Sequence, residues 1–184
     1  PFFNALREKP VDLLSQILRQ RVNSPLSSSA GRLFDAVAAA LGICFEKVEY
    51  EGQAAVQLQT IAEAYSAERG YYDVLLQNTL EWGPLWAGIL RDLKAGLPEG
   101  KISKRFHNTL IGVISRVAAE LARQNGIETV VLTGGVFQNH LLLQGVQERL
   151  KSNNLKPLIP SQFPANDGAV SLGQAVIAAA KGAF

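Results

Sequence analysis

The chain has 184 residues, 47% apolar and 18% charged, a balance that supports a buried core and excludes disordered and fibrous classes. Eighteen Lys+Arg against sixteen Asp+Glu leave a net charge of +2, too little to mark a nucleic-acid groove or a membrane-surface patch. One cysteine, Cys44, excludes an internal disulfide, and two histidines, His107 and His140, cannot build a three-histidine metal centre.

The chain opens Pro1-Phe2-Phe3-Asn4 and contains no methionine, which reads as a piece of a longer polypeptide or one half of a split protein. Leu13, Leu14, Ile17 and Leu18 recur at helical spacing until Asn23-Ser24-Pro25 breaks the pattern. Leu33, Phe34, Val37, Ala38 and Leu41 form the next apolar stripe, with a serine of Ser27-Ser28-Ser29 as its N-cap and Gly42 as its stop. The longest uncharged apolar run, Ala36–Phe45, is about half of the ~20 residues that a bilayer span needs. Cys44 lies inside that run with no basic neighbour and reads as buried and inert. Ala54 to Tyr65 makes another amphipathic helix.

Tyr71 to Leu76 has the aromatic and β-branched content of a short strand. A helix around Leu85–Leu93 and a long helix over Lys101–Gln124 follow. The last third alternates: strand Thr129–Thr133, helix Phe137–Leu150, strand Lys156–Ile159, helix Gly168–Ala180. Both strands read as buried, and the short connections predict that they pair in parallel with the long helix across one face. Residues 1–70 are thus expected to be a helical segment and residues 71–184 an α/β lobe.

Three segments could carry chemistry. Thr133-Gly134-Gly135-Val136-Phe137-Gln138-Asn139 follows the first strand, where paired glycines admit a ligand to the backbone and the next helix offers N–H groups to an anion. The alternative is a plain tight turn. Asn166-Asp167-Gly168 follows the second strand and so reaches the same sheet edge. Asp167 is either a hard oxygen ligand for a metal or an ordinary helix cap. Asp35 lies near the start of the Gly31–Leu41 helix, able to accept from sugar hydroxyls or to balance the helix dipole. His140 could reach a phosphate or face solvent, and His107 is expected to be packed or at the surface.

Taken in order, several segments resemble one family. They are Ser28-Ser29-Ala30-Gly31-Arg32-Leu33-Phe34-Asp35, Tyr50-Glu51-Gly52-Gln53-Ala54-Ala55 and Arg105-Phe106-His107-Asn108-Thr109-Leu110. Gly134-Gly135-Val136-Phe137-Gln138-Asn139, Asn166-Asp167-Gly168 and Ser171-Leu172-Gly173-Gln174 complete the set. The chain is similar to the C-terminal part of HypF-type hydrogenase maturation carbamoyltransferases from about Asn23 to Ala180.

The resemblance implies one lobe of an actin-like ATPase, ribonuclease H-like α/β fold with a helical N-terminal segment. It implies a cytoplasmic enzyme that uses carbamoyl phosphate and ATP, through carbamoyl adenylate, to carbamoylate the C-terminal cysteine of HypE for nickel-iron hydrogenase cyanide ligands. Acylphosphatase-like, zinc-finger and YrdC-like segments of such proteins have no counterpart here, so the isolated chain is expected to be inactive. Gly134, Gly135 and Asn139 match the nucleotide-cradling loop, and Gly31 and Asp35 the segment expected at the ribose. Asp167 matches an aspartate that holds a divalent metal with histidines from the other lobe. Catalytic residues stay unassigned. His140 stands where arginine is expected, and Ala169 where a second glycine is common. The rivals are a lobe of a threonylcarbamoyl-transferring (TsaD-like) or O-carbamoyltransferase enzyme, and a non-catalytic docking or regulatory lobe.

Overall fold

The computed structural model describes residues 2–182; Pro1, Ala183 and Phe184, at the outer ends of the two expected segments, lie outside it. Helices come first: α1 (Phe2–Arg7), α2 (Val11–Arg19), α3 (Ala30–Ala40) and α4 (Gln53–Glu63). The local chemistry explains α3 at both ends. The Ser29 hydroxyl accepts from the Arg32 N–H at 3.4 Å, while Gly42 turns at φ +81°. The Gly42 N–H then donates to the Ala39 carbonyl and the Ile43 N–H to the Ala38 carbonyl, a Schellman closure.

A small antiparallel hairpin follows, β1 (Leu75–Leu76) with β2 (Leu80–Glu81). The strand expected over Tyr71–Leu76 shrinks to its last two residues. Tyr72 is instead drawn inward, its N–H donating to the Thr109 hydroxyl at 2.8 Å. Next come α5 (Gly83–Lys94) and α6 (Glu99–Asn125), which has 27 residues and is about 40 Å long at 1.5 Å per residue.

The remainder alternates as expected, with β3 (Thr129–Val131), α7 (His140–Ser152), β4 (Lys156–Leu158) and α8 (Val170–Ala180). β3 and β4 pair in parallel with Thr129 opposite Lys156 and Val131 opposite Leu158. The helix expected over Phe137–Leu150 is in fact broken. Gly135–Gln138 forms a short 3-10 helix, and α7 begins only after Asn139. A second 3-10 turn, Asp167–Ala169, likewise precedes α8.

One core runs through the helical and the α/β segments. Phe34 and Val37 of α3, Leu58 of α4, Ile89 of α5, Ile102, Phe106 and Leu110 of α6, and Leu142 and Val146 of α7 are all buried in it. Phe34 meets Phe106 edge to face, centroids 4.9 Å apart and planes at 75°, a geometry worth about 1 kcal/mol beyond burial alone. Helix α6 is the spine, with α4 and α7 packed along it. Gly100 permits a close approach to α4: a Cβ there would stand 2.5 Å from the Ile61 carbonyl oxygen.

The strands are less buried than their apolar content suggests. Leu132 and Val130 turn toward the core, but Val131 is 62% exposed on the other face. A continuous apolar run suits a strand covered on both faces; among the described residues only one face is covered. Val170, Leu172, Val176 and Ile177 of α8 are exposed as well. Cys44 is half-buried rather than buried, with φ +52° and its thiol 3.4 Å from the Gln57 side-chain oxygen. Among the described residues no helix is long and apolar enough to cross a membrane.

Candidate functional site

The two loops that leave β3 and β4 are bonded to each other. The Gly134 N–H donates to the Ala165 carbonyl at 2.6 Å, one step beyond the last ladder bond, Leu132 N–H to the Leu158 carbonyl at 2.8 Å. Gly134 adopts φ +104°, ψ 153°, a region that is essentially glycine's alone. The chain then curls into the 3-10 helix and delivers Asn139 to the start of α7. Gly135 has open space where a Cβ would stand.

That open space belongs to a cleft of about 690 Å³, within the range of small-molecule sites. Its walls come from three places. The start of α3 contributes Gly31 and Asp35; the turn into α4 contributes Glu51 and Gly52; the two strand loops contribute Gly135, Asn139 and Asp167. Of the six residues matched to the nucleotide loop, the ribose segment and the metal aspartate, five therefore face one cavity. Gly134 does not line it and stands behind as the hinge of the loop. His140 does not line it either: its side chain is exposed, and its N–H donates to the Gln59 side chain at 3.1 Å.

The carboxylates differ in their freedom. Asp35 pairs with Arg32 at 3.1 Å on the surface of α3. At Asp167 the capping role belongs to its neighbour, since the Asn166 side chain accepts from the Gly168 N–H at 3.1 Å. The Asp167 carboxylate has no hydrogen-bond or ion-pair partner among the described residues and is exposed at the cleft. The cap that competes with a ligand reading is thus already supplied. No group of three His, Cys, Asp or Glu side chains among the described residues could hold a metal. The donor set here fits one oxygen ligand of a divalent cation, not a whole site.

One residue that sequence reasoning missed, Gln59 of α4, also lines the cleft, beside Gln138 of the glycine loop. A glutamine on an amphipathic helix gives no local signal of this. The dipole argument for α7 is also narrower than the sequence suggests. Side chains already occupy two of its leading N–H groups: Gln59 takes His140, and the Asn139 oxygen takes Leu142 at 2.9 Å.

Behind the cleft, the Arg105–Thr109 segment ties α6 to its surroundings. Arg105 reaches Asp92 of α5 at 2.8 Å and Glu68 at 3.5 Å, and the Tyr72 hydroxyl donates to the same Asp92 carboxylate at 2.9 Å. Burial raises the Glu68 carboxyl, but the Gly70 N–H, Arg105 and Lys101 outweigh it and hold the carboxyl below its usual range. Tyr72 is pushed up, first by burial and then by Asp92. The Asn108 amide donates to the Glu68 and Gly70 carbonyls at 3.1 and 3.0 Å. Phe106 fills the core. His107 is wholly buried against Asn139, the packed one of its two expected placements.

The family model described as carbamoyltransferase, Kae1-like domain, second subdomain, matches residues 1–174. The chain belongs to the HypF carbamoyltransferase family. Relatives named carbamoyltransferase HypF include one from Rhodobacter capsulatus, 39% identical over 94% of this chain and 22% of its own length. Another, from Synechocystis, is 39% identical over 89% of this chain and 21% of its own. The chain thus spans about a fifth of the length of these HypF relatives. The solved structure of full-length HypF in its phosphate- and nucleotide-bound form superposes with a TM-score of 0.86 at 35% identity, covering 96% of this chain and 24% of that one. The fold is accordingly the HypF one, an α/β lobe of the actin-like, ribonuclease H-like kind. A tRNA N6-adenosine threonylcarbamoyltransferase from Staphylococcus aureus matches over 42% of this chain at 27% identity.

Proposed function

We propose that this chain forms one wall of the nucleotide cleft of a carbamoyltransferase, and that the complete polypeptide passes a carbamoyl group from carbamoyl adenylate to the C-terminal cysteine of HypE. The observation that carries this reading is the convergence of Gly31, Asp35, Gly135, Asn139 and Asp167 on one ligand-sized cleft at the carboxyl ends of two parallel strands. Family membership and the likeness to a HypF solved with nucleotide support it.

In this reading the backbone around Gly135 faces the phosphates, where a helix start and unshielded amides favour negative charge. The start of α3, with Gly31 and Asp35, faces the sugar. Asp167 supplies one oxygen ligand to a divalent cation whose other ligands lie outside this chain. Such a cation would orient substrate oxygens and offset their charge.

Gly135→Leu in the complete polypeptide tests the placement. A side chain at that position projects into the cleft without straining the core, so ATP binding measured by calorimetry should weaken at least about tenfold while the melting temperature holds. Carbamoylation of a HypE tail peptide, followed by mass spectrometry, should fall with it. Unchanged ATP affinity would remove the nucleotide from this cleft.

A further inference from the structure

We propose that His107 is a positioning residue for the cleft, holding the side chain of Asn139 in one orientation and with it the junction between the glycine-rich loop and α7. The proposal rests on reading that cleft as a nucleotide site.

Three hydrogen bonds carry the argument, and each determines the next. His107 Nδ1 lies 2.8 Å from the Ser103 carbonyl oxygen, which can only accept. Nδ1 therefore carries the proton, and the neutral ring presents Nε2 as an acceptor. Asn139 Nδ2 stands 2.9 Å from Nε2 and donates to it. The Asn139 oxygen is then left facing α7, where it accepts from the Leu142 N–H at 2.9 Å. Flipping the amide would set acceptor against acceptor at the ring and donor against donor at the helix, so the ring and the amide specify each other.

The arrangement extends across the fold. Ser103, whose carbonyl sets the tautomer, also donates its hydroxyl to the Leu58 carbonyl of α4 at 2.6 Å. The next residue, Gln59, holds the His140 N–H. Helices α4 and α6 thus grip both residues at the junction, Asn139 and His140. His107 and Ser103 are wholly buried, while Asn139 is 8% exposed and lines the cleft. A leucine at position 107 would fill the space with less desolvation cost but could not direct an amide. The ring touches no ligand and acts through Asn139.

The test uses the complete polypeptide and ATP as the probe. His107→Leu removes the acceptor, and ATP affinity should fall about tenfold, the scale of one lost hydrogen bond. His107→Gln restores an acceptor at similar reach and should recover most of that loss. Wild-type affinity in both variants, or equal loss in both, would overturn the proposal. Should His107→Leu not fold, Asn139→Asp replaces it, because aspartate still caps α7 but offers Nε2 only an acceptor. In that variant the ring should become doubly protonated near neutral pH, read from its 15N shifts, against a neutral Nδ1–H form in the wild type. Lys104 on its own helix opposes that charge and Glu63 of α4 favours it. A ring that stays neutral in Asn139→Asp would overturn the proposal. A wild type that binds no ATP but shows the Nδ1–H tautomer would instead refute the nucleotide reading of the cleft.

Discussion

The backbone N–H of Gly134 donates to the carbonyl of Ala165 at 2.6 Å, which ties together the loops after the two parallel strands. That contact exists because Gly134 turns at φ +104°, where a Cβ is strained. Gly134→Ala should lower stability by about 1–3 kcal/mol, read as a shift in the urea midpoint. It should also weaken ATP binding, although Gly134 does not line the cleft. A variant with wild-type stability would mean the loop relaxes into another turn at no cost.

His107 makes stability depend on pH. Burial pushes its imidazole down to about 4, the Ser103 carbonyl pulls it up, Lys104 lowers it and Glu63 raises it. The unfolded chain protonates near 6.5, so between about pH 6.5 and 4 it binds a proton that the folded state refuses. Stability therefore falls as pH falls through that window, by up to about 3 kcal/mol. Glu68, whose carboxyl is held below its usual range, loses its contribution only at more acidic pH. His107→Gln should flatten the slope between pH 6.5 and 4 in chemical denaturation. An unaltered slope would assign the dependence to other groups.

Asp167 separates folding from chemistry. Because Asn166 already supplies the cap, Asp167→Asn should change stability by less than about 0.5 kcal/mol. In the complete polypeptide, bound divalent metal and carbamoyl transfer to a HypE tail should both fall sharply. Full metal content with normal transfer would return this residue to a bystander on the loop.

Arg105 joins Asp92 and Glu68; Glu68 also pairs with Lys101 at 3.4 Å, so among the described residues it is the buried Asp92 that has Arg105 as its one cation. Arg105→Met should cost about 3 kcal/mol, the scale of an orphaned buried charge. Tyr72→Phe removes a single donor to Asp92 and should cost about 1 kcal/mol. Because the two share one partner, the double variant should deviate from the sum of the singles. Strict additivity in thermal unfolding would show that Asp92 does not couple them.

The cleft is walled here on one side by α3, α4 and the strand loops. Alone, the 184-residue chain should bind ATP far more weakly than the complete polypeptide, and calorimetry compares the two directly. Low-micromolar affinity in the isolated chain would mean that this wall suffices.

Most helices, and the parallel pairing of Thr129–Val131 with Lys156–Leu158, were legible in the residues. The physical reason is range. A serine cap, a glycine stop and a 3.6-residue apolar period act within a turn or two, so the Ser27-Ser28-Ser29 run, Gly42 and the Leu33, Phe34, Val37, Ala38 and Leu41 stripe between them declare themselves locally. The site was legible in part for the same reason: Gly134-Gly135 and Asn166-Asp167-Gly168 are short loops following strands. Long-range partnership has no local trace. The helix after β3 breaks at Asn139, whose side chain is held by a histidine 32 positions earlier, and helical periodicity carries no sign of that. Tyr72 leaves its expected strand because Thr109 and Asp92 bond to it across the fold. Gln59 reads as a surface residue until α4 packs against α7. Only the tertiary structure decided which of two equivalent orientations each buried amide and ring adopts, because that choice depends on donors and acceptors brought together by packing.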